Sequence, residues 1–522
     1  MLERGEHVSY ANCGLPYFVG GEIADPAKLL VQTPQSLHAA LNLDVRTGHD
    51  VTGLDPEQRV VTVDTPDGRT RIGYDALVLS PGAQAARPPI PGLDSPRVRT
   101  LRTVDDALAL REQVETGARR AVVLGAGFIG IEAAEALARQ GLDVTVVELA
   151  ALVTGELHEL GIGTRTGIAA TGIQQGAEHD LVALGDGTLL PADLIVLSVG
   201  VRPDTAVFEA AGVKCERGAI VVDEHGRTSI PGVWAVGDAT VSADAVTGIR
   251  RPVALAGPAN RAGRLVADDI LRPGTARPIP HPVGTAIVRI GSVTAALTGA
   301  NRAALDAAGV GYRTIHLHPN QHAGYFPGAA QLHLILHFRE ADGLLLGAQA
   351  VGAEGVDKRI DVLASAIRAG MSVDDLIDLD LAYSPPYGQA KDPVNLAGMV
   401  GENLRTGTLA LWYAQDVDQV LAHSLVLDTR SRAEFATGHL PGALNIPHTE
   451  LRERLDEVRT ASAGRPVRVM CASGVRSAIA HRVLAQAGFD SASLSGGILT
   501  LRAVLGDRAG ELLRFEGAMQ DA

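Results

Sequence analysis

Residues 121–148, AVVLGAGFIGIEAAEALARQGLDVTVVE, constrain the fold more than any other stretch of this chain. An apolar strand runs into Gly125-x-Gly127-x-x-Gly130, an alanine-rich helix follows, Gly141 stops it, and a second strand ends at Glu148. The three glycines permit a tight turn, let a backbone approach a pyrophosphate, and allow the helix to pack closely on the strand. Glu148 stands 18 residues beyond Gly130, where a carboxylate can accept from a ribose 2′-hydroxyl. Strand, turn, helix and acid in register make this a dinucleotide-binding βαβ unit. An acid there favours NADH by repelling a 2′-phosphate, with NADPH admitted as a second substrate. The run DLIVLSVGVRP, with its strand ending at Gly200, completes the unit.

Two segments flank it. DALVLSPGA (75–83) is a buried strand ending in a turn with Ser80 and Gly82. TSIPGVWAVGDAT (228–240) ends a strand at Gly237-Asp238, where a carboxylate can bond a ribityl hydroxyl. In this order around an NAD unit they resemble the two halves of the FAD domain of pyridine nucleotide-disulfide oxidoreductases, over about residues 1–402. The run VSYANCGLPY (8–17) sets the subgroup. Glutathione-reductase-like enzymes carry C-x4-C, whereas position 18 here is Phe, so the chemistry rests on Cys13 alone. SYANCGLPY looks like the coenzyme A disulfide reductases, whose cysteine forms a mixed disulfide with coenzyme A. That resemblance implies Cys13 as the redox centre, with Ser9 and Asn12 beside the substrate. NADH oxidases and peroxidases share the fold and hold a single cysteine as sulfenic acid, which leaves them as an alternative. HAGYFPGA (322–329) and AYSPPYGQAKDPVNLAG (382–398) resemble the dimerisation domain of the same subgroup. The likeness implies a homodimer in which Tyr325 and Tyr383 reach the partner subunit's cysteine, where a phenol can protonate a leaving thiolate. Tyr387 is expected to pack beside Pro385 and Pro386.

The C-terminal portion carries a second cysteine site. Residues 425–447 read LVLDTRSRAEFATGHLPGALNIP and residues 466–489 read PVRVMCASGVRSAIAHRVLAQAGF. A strand, Val467 to Met470, is expected to lead into Cys471, a tight loop and a helix over 477–486, with Gly488 as its stop. Loop N–H groups and a positive helix end around sulfur stabilise a thiolate or persulfide anion, by about 0.3–2 kcal/mol from the helix end alone. Arg476 adds a fixed cation. Asp428/Arg430, Glu434, the GHLPGA run at 438–443 and C-x-S-G-x-R-S resemble single-domain rhodaneses, over about residues 415–515. The resemblance implies that Asp428 and Arg430 are structural and that Cys471 carries sulfane sulfur. The C-x4-R loop is shorter than the C-x5-R of related phosphatases, which must cradle a phosphate, and this favours sulfur transfer.

A chain of 522 residues exceeds one core and divides into several domains. The expected class is α/β: two nested Rossmann-like FAD and NAD domains, an α+β dimerisation domain and a C-terminal α/β rhodanese domain. The boundaries are 1–105 and 226–280 for FAD, 106–225 for NAD(P), 281–402 for dimerisation, 403–415 as linker and 416–522 for rhodanese. Glu3 would bind the adenosine ribose of FAD. An FAD domain usually opens with a strand, Gly-rich turn and helix of about 30 residues before such an acid, so this domain is expected to be N-terminally truncated. The helix after Glu148, within TGELHELGI, is expected to be shortened. Three cysteines make no disulfide framework and point to separate thiols. Cys215 is expected to be an inert, partly buried residue. His316, His318, His333 and His337 lack a zinc-site signature and are expected to face solvent or the dimer interface, with no metal bound.

A net charge of −14 argues against nucleic-acid binding, and no apolar run approaches the roughly 20 residues that span a bilayer. The chain is therefore expected to be cytoplasmic. Together these features point to a flavin- and NADH-dependent reductase of coenzyme A disulfide, coenzyme A persulfide or polysulfide, fused to a sulfurtransferase for which thiosulfate is one candidate donor. A sulfurtransferase with an inactive reductase portion is the other alternative.

Overall fold

The computed structural model describes residues 1–148, 157 and 160–515. The expected shortening of the helix after Glu148 falls largely outside these residues. The chain forms two compact units. The first comprises residues 1–244, 248–282 and 288–293, the second residues 245–247, 283–287 and 294–522.

The first unit is built on a five-stranded parallel sheet ordered Gly163–Thr166, Asp143–Glu148, Arg120–Leu124, Leu194–Leu197, Val98–Arg99. Ala121 to Leu124 and Leu194 to Leu197 are each at most 2% exposed, so these strands are covered on both faces, as their unbroken apolar runs require. The helix Phe128–Arg139 lays Ile131, Ala134 and Leu137 against the sheet; its small residues permit a close approach. The nesting of one domain inside another is visible in one pairing. Leu77–Leu79 lies parallel to Val233–Ala235, although the whole NAD segment intervenes in sequence. Antiparallel meanders over residues 50–73 and 170–192 pack beside these sheets.

In the second unit, strands Val293–Gly299, Leu345–Gly352, Leu332–Arg339 and Tyr312–Leu317 form an antiparallel sheet in that order. Alternation places Leu332, Leu334, Leu336 and Phe338 on one face, none more than 1% exposed. They meet Val356, Ile360 and Leu363 of the helix Val356–Ala369 and Val394 of the helix Pro393–Arg405. Each such side chain contributes about 1.5–3 kcal/mol on burial. A second sheet, all parallel, runs Leu411–Trp412, Ser491–Leu494, Val467–Met470, Leu425–Asp428, Leu444–Asn445. Leu411 and Trp412 thus lie in this sheet rather than in a linker. Trp412 is 4% exposed and its indole N–H donates to the Val469 carbonyl at 3.1 Å, so the connector shrinks to residues 406–410.

The histidines correct the sequence reading. His316 Nδ1 meets Ser495 Oγ at 2.8 Å and His318 Nε2 meets Thr500 Oγ1 at 2.8 Å, so both lie in a seam between the two sheets' domains. His318 Nδ1 meets His333 Nδ1 at 2.6 Å, and the Tyr413 hydroxyl donates to the Thr314 carbonyl across the same seam at 3.0 Å. His337 is buried against Thr314 Oγ1 at 2.9 Å. Only His333 of the four is exposed. Sequence periodicity placed these rings on strands but could not name the domain that covers them.

Burial holds His316, His318 and His337 down at about 4, against an ordinary 6.5. The unfolded chain therefore binds more protons between those values. The stability these neutral rings contribute is complete above about pH 6.5 and is lost as pH falls towards about 4. Calorimetric melting of the full chain should show the second unit's transition falling over that window. His318→Gln should flatten the fall.

Candidate active sites

The glycines of the NAD turn are dictated by space. A Cβ on Gly130 would lie 2.0 Å from the Gly125 carbonyl oxygen, and one on Gly125, at φ +101°, would lie 2.3 Å from the Ser198 oxygen. Gly127 meets nothing within 4 Å and leaves its backbone open to a ligand. The Glu148 carboxylate accepts from the Ala126 N–H, which fixes the acid beside the turn. Gly125, Gly127 and Glu148 line a cavity of about 670 Å³ with Ile90, Val147 and Gly200, a size and an apolar character that suit the adenosine half of a pyridine nucleotide.

The residues expected to hold a flavin lie in the same unit. Glu3 follows a parallel bridge between Leu2 and Arg46, and its carboxylate accepts from the Gly5 N–H at 2.8 Å. It lines a cavity of about 420 Å³ with Tyr10, Ala83 and Arg102. Asp238 lies in the 3-10 turn Gly237–Ala239 and is paired with Arg102 at 3.3 Å. Arg102 also donates to the Ala83 carbonyl at 3.0 Å, just after Gly82 with its φ of +67°. Ser80 is exposed at that turn. The oriented acid, the paired Asp238 and the polar cavity fit the ribose and ribityl portions of FAD. Arg102, which joins the two strand ends, was missed: nothing near it in sequence marks it.

Cys13 is exposed on the 3-10 turn Asn12–Gly14. The turn is anchored on both sides. Ser9–Tyr10 pairs with Leu30–Gln32, and Leu15, Phe18 and Val19 of the following short helix are at most 4% exposed. Phe18, at the position of the second cysteine in C-x4-C, is therefore a core residue. Asn12 is exposed beside the thiol and Ser9 is half-buried. Cys215 is half-buried in the short strand Cys215–Glu216, and desolvation raises its thiol.

In the second unit Tyr325 and Tyr383 are brought together, their hydroxyls 3.2 Å apart, at 76% and 49% exposure. The hydrogen bond to Tyr383 raises the Tyr325 phenol. Tyr387 does not pack as expected: it is 73% exposed. Arg359, 1% exposed, holds the two tyrosine loops. It pairs with Asp392 at 2.8 Å and donates to the Gln321 carbonyl at 2.7 Å. Lys358 donates to the Ala382 carbonyl at 3.3 Å. Both were missed, yet a signal existed: Arg359 shares the helical face of Val356, Ile360 and Leu363.

At the C-terminal site the strand Val467–Met470 ends as expected, and the helix Val475–Gln486 starts two residues early. Gly474, at φ +98°, turns its N–H back to donate to Cys471 Sγ at 3.1 Å. The buried Ser477 Oγ is 3.3 Å from the same sulfur and accepts from Ser493 Oγ at 2.8 Å. Behind the loop, the Ile498 and Leu499 N–H groups donate to the carbonyls of Cys471 and Ala472 at 2.9 and 3.2 Å. Asp428 and Arg430 form a buried ion pair, and Arg430 also donates to the Gly438 carbonyl at 2.7 Å. Arg476 is not a free cation. It makes two bonds to Glu434, at 2.7 and 2.6 Å, and holds that carboxyl down at about 2.

Models of known families match the chain in three stretches. The pyridine nucleotide-disulphide oxidoreductase model covers residues 1–263, its dimerisation domain residues 285–393, and the rhodanese-like domain residues 410–502. The chain belongs to the pyridine nucleotide-disulphide oxidoreductase family. It is a member with a dimerisation domain and a C-terminal rhodanese-like domain, of a family that implies FAD and NAD(P)H. It is 32% identical to the coenzyme A disulfide reductase of Staphylococcus haemolyticus (strain JCSC1435) over 421 residues, 77% of this chain and 93% of that one. A structure of reduced Bacillus anthracis CoADR-RHD is similar over 99% of this chain and 94% of its own, at TM-score 0.95 and 34% identity. An NAD-dependent persulfide reductase from A. fulgidus is similar over 96% and 94%, at 0.89 and 36%. Among the described residues no helix is long and apolar enough to cross a membrane.

If Glu148 rejects a 2′-phosphate, Glu148→Ala should lower the ratio of kcat/KM for NADH over NADPH by about tenfold. Steady-state kinetics with both nucleotides checks this.

Proposed function

We propose that this chain is an NADH-dependent, flavin-containing reductase of coenzyme A persulfide or related polysulfides, with coenzyme A disulfide as a second substrate, working as a homodimer beside its own sulfurtransferase. One observation carries the reading. Cys13 is an exposed thiol on an anchored turn, and the position where a dithiol enzyme needs its partner holds the buried Phe18. A redox cycle that passes through a disulfide then takes its second sulfur from the substrate. The relatives' names and the rhodanese-like domain support sulfur compounds as substrates.

The residues for the cofactors are those that fit them above: Gly125, Gly127, Gly130, Glu148 and Gly200 for NADH, with Glu3, Ser80, Gly82 and Asp238 for FAD. When bound, these groups supply a pair of electrons. The chain's own residues do the sulfur chemistry. The Cys13 thiolate attacks the substrate S–S bond, a mixed disulfide forms at Sγ, and the electron pair leaves on the other sulfur. Tyr325 and Tyr383 of the partner subunit supply a proton to that leaving thiolate, and the hydrogen bond between them keeps one phenol proton directed outward. Arg359 acts through the tyrosine loops as a positioning residue. Ser9 and Asn12 flank the substrate. For a persulfide the net change is R–S–SH plus two electrons and two protons giving R–SH and H₂S.

Cys471 accepts sulfane sulfur and passes it to a thiol carrier, which delivers it as persulfide to Cys13. The purified chain should show a flavin band near about 450 nm and oxidise NADH with coenzyme A persulfide faster than with oxygen or peroxide. Cys13→Ser should lower that rate about a thousandfold or more, and Tyr383→Phe about tenfold. Faster turnover with peroxide would assign the site to sulfenic-acid chemistry instead. Cys471→Ser should slow polysulfide reduction while sparing coenzyme A persulfide; a full polysulfide rate in that variant would end the coupling.

A further inference from the structure

The charges around Cys471 bear on which donor can reach it. This follows on the reading of Cys471 as a sulfurtransferase nucleophile and narrows what it accepts. Cys471 is 1% exposed, so a donor's sulfur must shed its water to reach Sγ. Stripping water from a dianion is costly unless fixed cations replace it. The loop offers no unpaired one. Ala472, Ser473, Gly474 and Val475 are uncharged, and the Gly474 N–H is already committed to Sγ. Arg476, the loop's one cation, is bound through both terminal nitrogens to Glu434. That carboxyl, held at about 2 by Arg476, stays ionised at any working pH, so the pair remains neutral. On the exposed side of the loop's helix stand Val475 at 67% exposure and, one turn on, Ile479 at 50%. A neutral ion pair and an apolar rim suit a donor with a carbon-bearing leaving group and at most one charge at the reacting sulfur.

We infer that the Cys471 site takes sulfane sulfur from organic persulfides and discriminates against thiosulfate, with Glu434 and Val475 as the specificity-determining residues. The step balances without an external oxidant. The Cys471 thiolate attacks the terminal sulfur of R–S–SH, that S–S bond breaks, and a new one forms at Sγ. The electron pair leaves on R–S⁻, and the protein holds Cys–S–SH.

The test is quenched-flow loading of the full chain with glutathione persulfide or thiosulfate, read as the gain of one sulfur on the Cys471 peptide by mass spectrometry. Persulfide should load at least about tenfold faster. Glu434→Gln frees the Arg476 charge while Gln can still cap the helix Arg432–Ala436, and Val475→Arg adds a cation at an exposed position. Each should raise the thiosulfate rate constant about threefold or more, and by more than it changes the persulfide constant. Equal loading by both donors in the unaltered chain, or a thiosulfate constant unmoved by either substitution, overturns the proposal. Should neither donor load Cys471 at all, the sulfurtransferase reading itself fails, an outcome distinct from a loss of selectivity.

Discussion

Both units depend on places where the backbone at the carboxyl end of a parallel strand passes so close to another segment that only glycine fits. At Gly130 a single added carbon would lie 2.0 Å from the Gly125 oxygen. At Gly497 it would lie 2.5 Å from the Ala472 oxygen and 2.6 Å from that of Cys471. In the first unit the turn lines the cavity that also holds Glu148. In the second the close approach leaves the carbonyls of the cysteine loop satisfied from behind, so the front of the loop is free to face sulfur. Parallel sheets expose such strand ends together, and ligand chemistry collects there.

The two cysteines sit in opposite environments, which suits the division of labour proposed for them. Cys13 is exposed on a turn whose neighbours are sunk in the core, which suits a thiol that must form a disulfide with a large substrate. Cys471 is buried under its own loop, with the Gly474 N–H donating to its sulfur. The tyrosine pair fits the same division, being exposed and held by the buried Arg359 and Asp392 rather than by contacts of the rings.

What could be read from sequence was local. The Gly125–Gly130 turn with Glu148, the strand Val467–Met470 and the Cys471 loop each declare themselves within about thirty residues, because steric need and apolar periodicity are short-range signals. What could not be read was partnership at a distance. Arg102 meets Asp238 across 136 residues, Arg476 meets Glu434 across 42, and His316 meets Ser495 across 179. In each the residue type was compatible with solvent, and only the tertiary neighbour changes its meaning. Arg476 shows the cost: read alone it was a cation for the sulfur, whereas its charge is spent on Glu434. Tyr387 erred the other way, since neighbouring prolines suggested packing that the chain does not make.

The serines of the strand Ser491–Leu494 and its extension carry a last consequence. Ser491 and Ser493 bond inward, to His481 and Ser477 of the helix behind Cys471, while Ser495, two residues on, bonds outward to His316. One strand thus lies against the catalytic loop's helix at one end and against the neighbouring domain at the other. An excised C-terminal fragment would present Ser495, Thr500 and the Tyr413 hydroxyl to water in place of their partners. Its kinetics would describe a loosened relative of the site, because the sulfurtransferase portion and the neighbouring sheet of the second unit share one seam.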